Sequence, residues 1–292
     1  MPGAAVIAVR PERGALVLAL GAIVLWGSLA SLGVALAHVP PFLLTGLSLW
    51  VGALLALPLS RGRWQSLRVP WTTLALGVYG LFGYHLLLFL ALRHAPAVQA
   101  NLINYLWPLL IVVLAPLLLP GLRWRAHHVF AACLGFGGAA LVILARAPDV
   151  TGAGAGSPWG YAAALAAALM WSTYSLLTRR VAPFGTAAIG SFAVVSGALA
   201  LACHALWEPT VTLSLRDGLL IAAMGLGPMG GAFFLWDAAL KRGDARHIGV
   251  LSYLTPLLST TGLLLLQGQW PTPSVVLAGL LILGAAAVGT RG

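Results

Sequence analysis

Asn101-Leu102-Ile103-Asn104-Tyr105-Leu106-Trp107-Pro108-Leu109-Leu110 reads as an apolar run interrupted by a proline. From Tyr105 to Tyr253 is a shift of 148, and there Gly249-Val250-Leu251-Ser252-Tyr253-Leu254-Thr255-Pro256-Leu257-Leu258 repeats the run. The same shift lays Gly77 on Gly225, Gly83 on Gly231 and Ala91-Leu92-Arg93 on Ala239-Leu240-Lys241. Similar shifts pair Trp26 with Trp171, and Gly138-Ala139-Ala140 with Gly284-Ala285-Ala286. Leu and Ala coincide often in any apolar chain, but Tyr-Leu-x-Pro-Leu-Leu with a basic residue at a fixed distance before it does not. The chain reads as a duplication, with residues 1–150 and 151–292 as its two units.

The surroundings of these runs say what is duplicated. The 292 residues are 60% hydrophobic and only 8% charged, whereas soluble domains carry about 25% charged residues. Marking apolar runs of about 20 residues predicts ten spans, at roughly 14 to 36, 42 to 59, 71 to 92, 97 to 118, 127 to 145, 159 to 178, 185 to 207, 217 to 240, 247 to 268 and 273 to 290. A cleaved leader at the first span is disfavoured, because the run is too long and the repeat needs it. Connections of about five to fifteen residues leave no room for a soluble catalytic domain. The fold expected is an all-α membrane protein of ten helices. Five spans per unit is odd, so the second unit enters the bilayer from the opposite side, which makes an inverted five-plus-five repeat of the kind found in secondary carriers.

A net charge of +10 in a soluble chain would point to nucleic acid; here the basic residues stand singly or in pairs between spans. Nucleic acid is excluded as the main partner, leaving the lipid bilayer and a small solute. With the N-terminus inside, Arg10, Arg13, Arg61, Arg63, Arg68, Arg123, Arg125, Arg179, Arg180, Lys241, Arg242, Arg246 and Arg291 fall on the cytoplasmic side, against Arg93, Arg146 and Arg216 outside. That bias places both termini in the cytoplasm. Cys133 and Cys203 lie within apolar runs, and no Cys/His spacing supports a disulfide framework, a metal site or a cofactor. No phosphate-cradling glycine loop is present, so ATP does not drive the protein. A solute gradient, or protons through His85, remain. Nothing in the sequence sets the oligomeric state.

In the fourth span Asn101, Asn104, Tyr105 and Pro108 recur on one helical face, and Gly249, Ser252, Tyr253 and Pro256 repeat the stripe in the ninth. Each proline interrupts the helix near the carbonyl four residues earlier, and matched interruptions in both halves of a carrier mark its substrate site. The alternative is that the amides tie helices together and the prolines only kink them. His85 lies deep in the third span beside Tyr84, and both a cavity and a packing role suit it. Trp64, Trp71, Trp124, Trp159, Trp207 and Trp270 sit at span ends as an interfacial belt, while Trp26, Trp50, Trp107, Trp171 and Trp236 lie deeper. Trp171 shares a face with Tyr174, and Trp107 borders the Asn104 face. A cavity of Tyr84, His85, Trp107, Trp171, Tyr174 and amide edges would suit an aromatic or amphipathic solute, although indoles also simply fill helix contacts. Of six acidic residues only Asp237 falls within a span, four before Lys241, so no midplane carboxylate marks a lipophilic-cation antiporter.

Ten spans as five plus five, with Trp26-Gly27-Ser28 in the first and the Pro256 block followed by Leu263-Leu264-Leu265-Leu266-Gln267-Gly268-Gln269, resemble the drug/metabolite transporter superfamily, EamA branch. Within it, the stretch from Gly83-Tyr84-His85 through Asn101 to Leu109 is most similar to the bacterial aromatic amino acid exporters. The resemblance implies an inner-membrane carrier exporting amino acids or related metabolites, aromatic ones in particular. Many relatives carry an acidic residue where this chain has Gln269, and any role of that acid does not transfer. A carrier for a drug or a nucleotide sugar is the first rival. An intramembrane enzyme is a remote one, because His127-His128 at a span start has no carboxylate near it in sequence.

Overall fold

The computed structural model describes residues 13–145, 156–266 and 268–289, and Arg10, Arg146, Gln267 and Arg291 lie outside them. Among the described residues every regular element is helical. The chain begins with α1 (Arg13–Gly27), continued by α2 (Leu29–Ala35), then α3 (Pro41–Ala53), continued by α4 (Ala56–Ser60). A third rod joins α5 (Trp71–Val78) through a π turn, Tyr79–Gly83, to α6 (Tyr84–His94). The fourth is split into α7 (Ala97–Asn104) and α8 (Trp107–Leu118), and α9 (Ala126–Leu144) is the fifth. After residue 155 come α10 (Pro158–Leu177), α11 (Ile189–Trp207), and α12 (Leu215–Leu226) joined through a π turn, Gly227–Gly231, to α13 (Ala232–Arg242). The chain then runs through α14 (Ala245–Leu251), α15 (Leu254–Leu266) and α16 (Pro273–Gly289).

Eight stretches are long and apolar enough to cross a membrane: Arg13–Ala35, Pro41–Ser60, Trp71–His94, Ala97–Leu118, Ala126–Leu144, Pro158–Leu177, Thr186–Trp207 and Leu215–Arg242. The chain is thus a multi-pass, all-α membrane protein. Of the last two of the ten expected spans, α16 has 17 residues, and the run from 247 to 268 is divided into α14 and α15, as the fourth is divided into α7 and α8.

That division has a local cause, and it occurs twice. Pro108 has no N–H to return to the Asn104 carbonyl, so α7 ends there; Leu106 N bonds the Ile103 carbonyl at 3.1 Å, an i+3 step that turns the chain before α8 starts. Four residues before Pro256, α14 gives way in the same manner, with Tyr253 N on the Val250 carbonyl at 3.2 Å and Thr255 N on the Ser252 carbonyl at 3.0 Å. The two π turns are also 148 positions apart, Tyr79 matching Gly227 and Gly83 matching Gly231. Wide turns of this type occur chiefly as local defects near functional sites.

The packing of the helices before residue 146 against those after residue 155 follows a reciprocal pattern. Helix α1 lies on α13 while α6 lies on α10, and α8 lies on α10 while α1 lies on α15. Helix α3 pairs with α11, α8 with α14 and α9 with α16. Tryptophans report the solvent boundary. The six at span ends are all exposed, from 54% for Trp207 to 88% for Trp270. Trp26, Trp107, Trp171 and Trp236 are buried, and only Trp50 of the deep five faces outward, its Nε1 donating to the Val194 carbonyl at 3.0 Å.

Candidate functional site

The four buried indoles come from four rods, α1, α8, α10 and α13, and converge on one point. All six pairs have ring centroids between 5.2 and 6.4 Å apart, and most meet edge to face, the arrangement that the ring quadrupoles favour. Trp236 is anchored by its Nε1 donating to Ser175 Oγ at 3.1 Å. The Ser172 hydroxyl reaches the Trp107 carbonyl at 2.9 Å and so ties α10 to the start of α8.

Above this floor opens a cavity of about 280 Å³. Trp26, Trp107, Trp171, Phe233, Phe89, Met224 and Met229 give it aromatic and polarisable walls, and Tyr84, His85, Asn104, Thr45 and Thr255 supply polar edges. His85 is buried, with Nδ1 2.5 Å from the Leu81 carbonyl. A carbonyl only accepts, so Nδ1 carries the proton and Nε2 is left as an acceptor. The Asn104 Nδ2 donates to the Tyr84 hydroxyl at 3.1 Å, and the Tyr84 ring lies 5.4 Å from Trp171. A second lobe of about 450 Å³ shares Trp26, Leu29, Tyr105 and Thr255 with the first, and adds Asn101, Pro256, Ser259 and Thr260. Among the described residues no Asp, Glu, Lys or Arg lines either lobe.

The sequence-predicted residues therefore divide. Tyr84, His85, Asn101, Asn104, Tyr105, Trp107 and Trp171 come together around the two lobes, and Pro256 joins them. Pro108 is buried at the start of α8. Tyr174, Ser252 and Tyr253 line neither lobe. The Tyr174 ring packs on Gly80 in the π turn, so closely that a Cβ at Gly80 would overlap it. Ser252 is fully buried and its Oγ donates to the Gly249 carbonyl at 2.5 Å. Tyr253, also fully buried, swings out at the break to pack among Ala139, Val142, Ala278 and Ile282, over Gly135, where a Cβ would overlap its ring. Trp26, Phe233, Met224, Met229 and Thr255 were missed. Only Trp26 had a signal in the sequence, its pairing with Trp171 in the repeat.

Both lobes reach the end of the bundle that carries Gly33, Pro41, Ala97 and Val98. At that end Glu208 caps α3, accepting from Phe42 N at 2.9 Å and Leu43 N at 3.2 Å, while His204 Nδ1 lies 3.0 Å from the same carboxylate. The opposite end, away from both lobes, carries cations that donate to main-chain carbonyls. Arg180 donates to the Leu118 carbonyl at 2.9 Å, Arg246 to that of Arg123 at 2.9 Å, Arg179 to that of Gly243 at 3.4 Å and Lys241 to that of Phe184 at 2.9 Å. Lys241 also meets Asp237 at 2.7 Å, and Arg246 meets Asp244 at 2.5 Å. Burial would raise the Asp244 carboxyl, but the hydrogen bonds from the Arg246 side chain and backbone outweigh it and hold the group below its usual range. His128 and His247 stack here at 5.1 Å with His127 alongside. No spacing in the sequence brings Asp244 and His247 to this histidine pair. Among the described residues no group of three or more His, Cys, Asp or Glu is placed to hold a metal ion.

The walls and polar edges of this cavity suit a small solute within a membrane-spanning bundle, and the comparisons with known proteins agree. The EamA-like transporter family matches residues 13–144 and again 158–290, and the chain belongs to that family. Over 272 residues, 92% of this chain and 94% of the relative, it is 43% identical to the aromatic amino acid exporter YddG of Ancylobacter novellus. It is 28% identical over 210 residues to the aromatic amino acid exporter YddG of Salmonella typhimurium, covering 66% of this chain and 68% of that one. A solved crystal structure superposes with a TM-score of 0.88 at 40% identity, covering 95% of this chain and 96% of the other. These findings make the protein a transporter of small molecules embedded in the membrane.

Proposed function

We propose that the protein is a bacterial inner-membrane secondary carrier that exports aromatic amino acids by alternating access through the cavity above the four indoles. The single observation that carries the substrate class is that cavity: three indoles, two phenylalanines and an imidazole around a space of about 280 Å³, with amide and hydroxyl edges and, among the described residues, no charged lining side chain. Such walls recognise a flat ring by stacking, and neutral dipoles leave an overall neutral zwitterion as the best match. Relatives named as aromatic amino acid exporters support the same reading. The rival cargo of a nucleotide sugar needs cations for its phosphates, and neither lobe offers one. An enzymatic role has no support in this cavity or in the relatives.

The carrier is built as ten helices in two inverted units, 1–150 and 151–292. Matched π turns, matched helix breaks, reciprocal packing and two successive family matches support this plan. With both termini cytoplasmic, as the distribution of basic residues indicates, the open end is periplasmic and the conformation is outward-facing. The deciding experiment is uptake into proteoliposomes of radiolabelled tryptophan, tyrosine and phenylalanine against leucine and alanine. Selective flux of the aromatic three, reduced several-fold by His85→Ala, Trp107→Ala or Trp171→Ala, is the expected result. Equal flux of all five, or equal losses for aromatic and aliphatic cargo, would remove the reading.

A further inference from the structure

His85 has a counterpart in the other half of the chain. From His85 to Phe233 is the same shift of 148 that lays one π turn on the other. Both rings line the first lobe, with their centroids 6.3 Å apart. The fold thus accepts a plain phenyl ring at this place, and packing alone does not call for an imidazole. What histidine adds to phenylalanine is two ring nitrogens, and the structure gives them different surroundings.

Nδ1 is engaged within its own helical rod, on the Leu81 carbonyl of the π turn. That bond fixes the tautomer and leaves Nε2, on the far edge of the ring, as an acceptor turned away from the α6 backbone. Tyr84, Phe89 and Phe233 hold the ring in this attitude, with centroids 5.1, 6.1 and 6.3 Å from its own. Nε2 makes no hydrogen bond within the protein, yet it is not sealed in. Both nitrogens of His128 and of His247 are unpaired and enclosed, whereas His85 Nε2 keeps accessible surface. His85 lines the lobe that Trp26, Trp107 and Trp171 also wall, so this surface opens where a flat ring would lie. An unpaired acceptor among aromatic walls selects for a ligand that brings a donor on its ring, because an analogue lacking that donor leaves the acceptor unsatisfied. With phenyl rings beside it, a neutral N–H or O–H enters at a lower desolvation cost than an ammonium does.

We propose that His85 is a specificity-determining residue: its Nε2 accepts a hydrogen bond from the ring of the cargo, the indole N–H of tryptophan or the phenol O–H of tyrosine, and so ranks these amino acids above phenylalanine. The assignment rests on the exporter reading and adds to it an order among aromatic cargoes that stacking alone does not impose. The matched pair then divides its work, Phe233 giving the lobe a wall and His85 giving it a wall and an acceptor.

The test uses ligand pairs of nearly one shape that differ in the ring donor: tryptophan with benzothienylalanine, in which sulfur replaces the indole N–H, and tyrosine with phenylalanine. Affinities are measured on the purified full chain by direct binding or by competition with labelled tryptophan, with thermal melting as the control for folding. In the parent the member with the donor should bind about tenfold more tightly, since its partner leaves a buried acceptor unpaired. His85→Phe, the residue type of the matched position, should bring both ratios to within about twofold of one. His85→Gln, whose amide oxygen reaches the place of Nε2, should restore most of the preference. Should His85→Phe melt early, His85→Leu replaces it, and the ratios in the parent remain a test by themselves. A preference confined to one pair and abolished in His85→Phe supports the hydrogen bond and assigns it to that ring. Ratios near one for both pairs in the parent would overturn the proposal and leave the exporter reading intact. So would a preference that persists in His85→Phe, the mark of a histidine that serves the head group or the packing. A parent that binds none of the four ligands removes the exporter reading and the proposal with it.

Discussion

The breaks at Asn104 and Ser252 share a backbone and differ in almost every side chain that follows. Each lies four residues before a proline and turns through an i+3 step. At the first, Asn104 and Tyr105 face the lobes and Trp107 forms part of the floor. At the second, their counterparts are Ser252, closed on its own backbone, Tyr253, packed between α9 and α16, and Thr255, which lines both lobes. The matched prolines thus set where the two helices break, and the side chains around each break set what packs there.

The comparison is sharpest at Asn104 and Ser252. Asn104→Leu should lower aromatic amino acid flux in proteoliposomes at least about tenfold with the melting temperature nearly unchanged, because it removes a ligand contact and not a core side chain. Ser252→Ala should lower flux less than about twofold, since its hydroxyl is satisfied within its own turn. Similar losses in both would mean that the halves share the substrate evenly.

The two tyrosines should divide in the reverse sense. Tyr253 is fully buried in a packed cluster, so Tyr253→Ala should destabilise by about 3 kcal/mol, as large-to-small core changes do, and lower the melting temperature while the folded fraction keeps its tryptophan affinity. Tyr105→Ala, at the junction of the lobes, should leave melting almost intact and weaken affinity several-fold. Loss of affinity in folded Tyr253→Ala would place the second stripe in the site after all.

Smaller effects are expected at the two ends of the bundle. In a background lacking Cys133 and Cys203, a cysteine at position 38 should react with an impermeant reagent from outside and one at 123 should not; the opposite pattern would reverse the orientation. Arg180→Gln removes one contact between α10 and α8 at the end away from the lobes. Arg180 is exposed, so the effect should be modest: a change of about twofold in thiol labelling of cysteines introduced at cytoplasmic cavity positions, read in the same background.

Much of this was legible in the chain itself. Apolar run lengths placed eight spans, the prolines placed both breaks, and the depth of each tryptophan within its span separated the exposed belt from the four buried indoles, with Trp50 alone of the deep five facing outward. Rotation of each helix about its axis was not legible. Tyr174 and Trp171 share a face by spacing, yet the glycine at position 80 opens a slot that takes the Tyr174 ring out of the cavity. Tyr253 follows its proline rule and then points away, into the space that Gly135 leaves between α9 and α16. Thr255, Phe233, Met224 and Met229 carry no pattern that separates lining residues from filling ones; only the packing of distant helices decides that. The neighbourhood of His128 and His247 is a contact between residues far apart in the chain, and no local rule reaches it.

The end of the bundle away from the lobes has a consequence for how this protein tolerates change. Arg180, Arg246, Arg179 and Lys241 all terminate on main-chain oxygens, at Leu118, Arg123, Gly243 and Phe184. An ion pair between two side chains can be destroyed by a point substitution in either codon. A main-chain oxygen is supplied by whatever amino acid occupies the position, so at Arg180 only the codon of the cation is vulnerable, whereas Lys241 and Arg246 depend also on Asp237 and Asp244. The Arg180 contact presents half the mutational target of a carboxylate latch, because position 118 supplies its oxygen whatever side chain stands there.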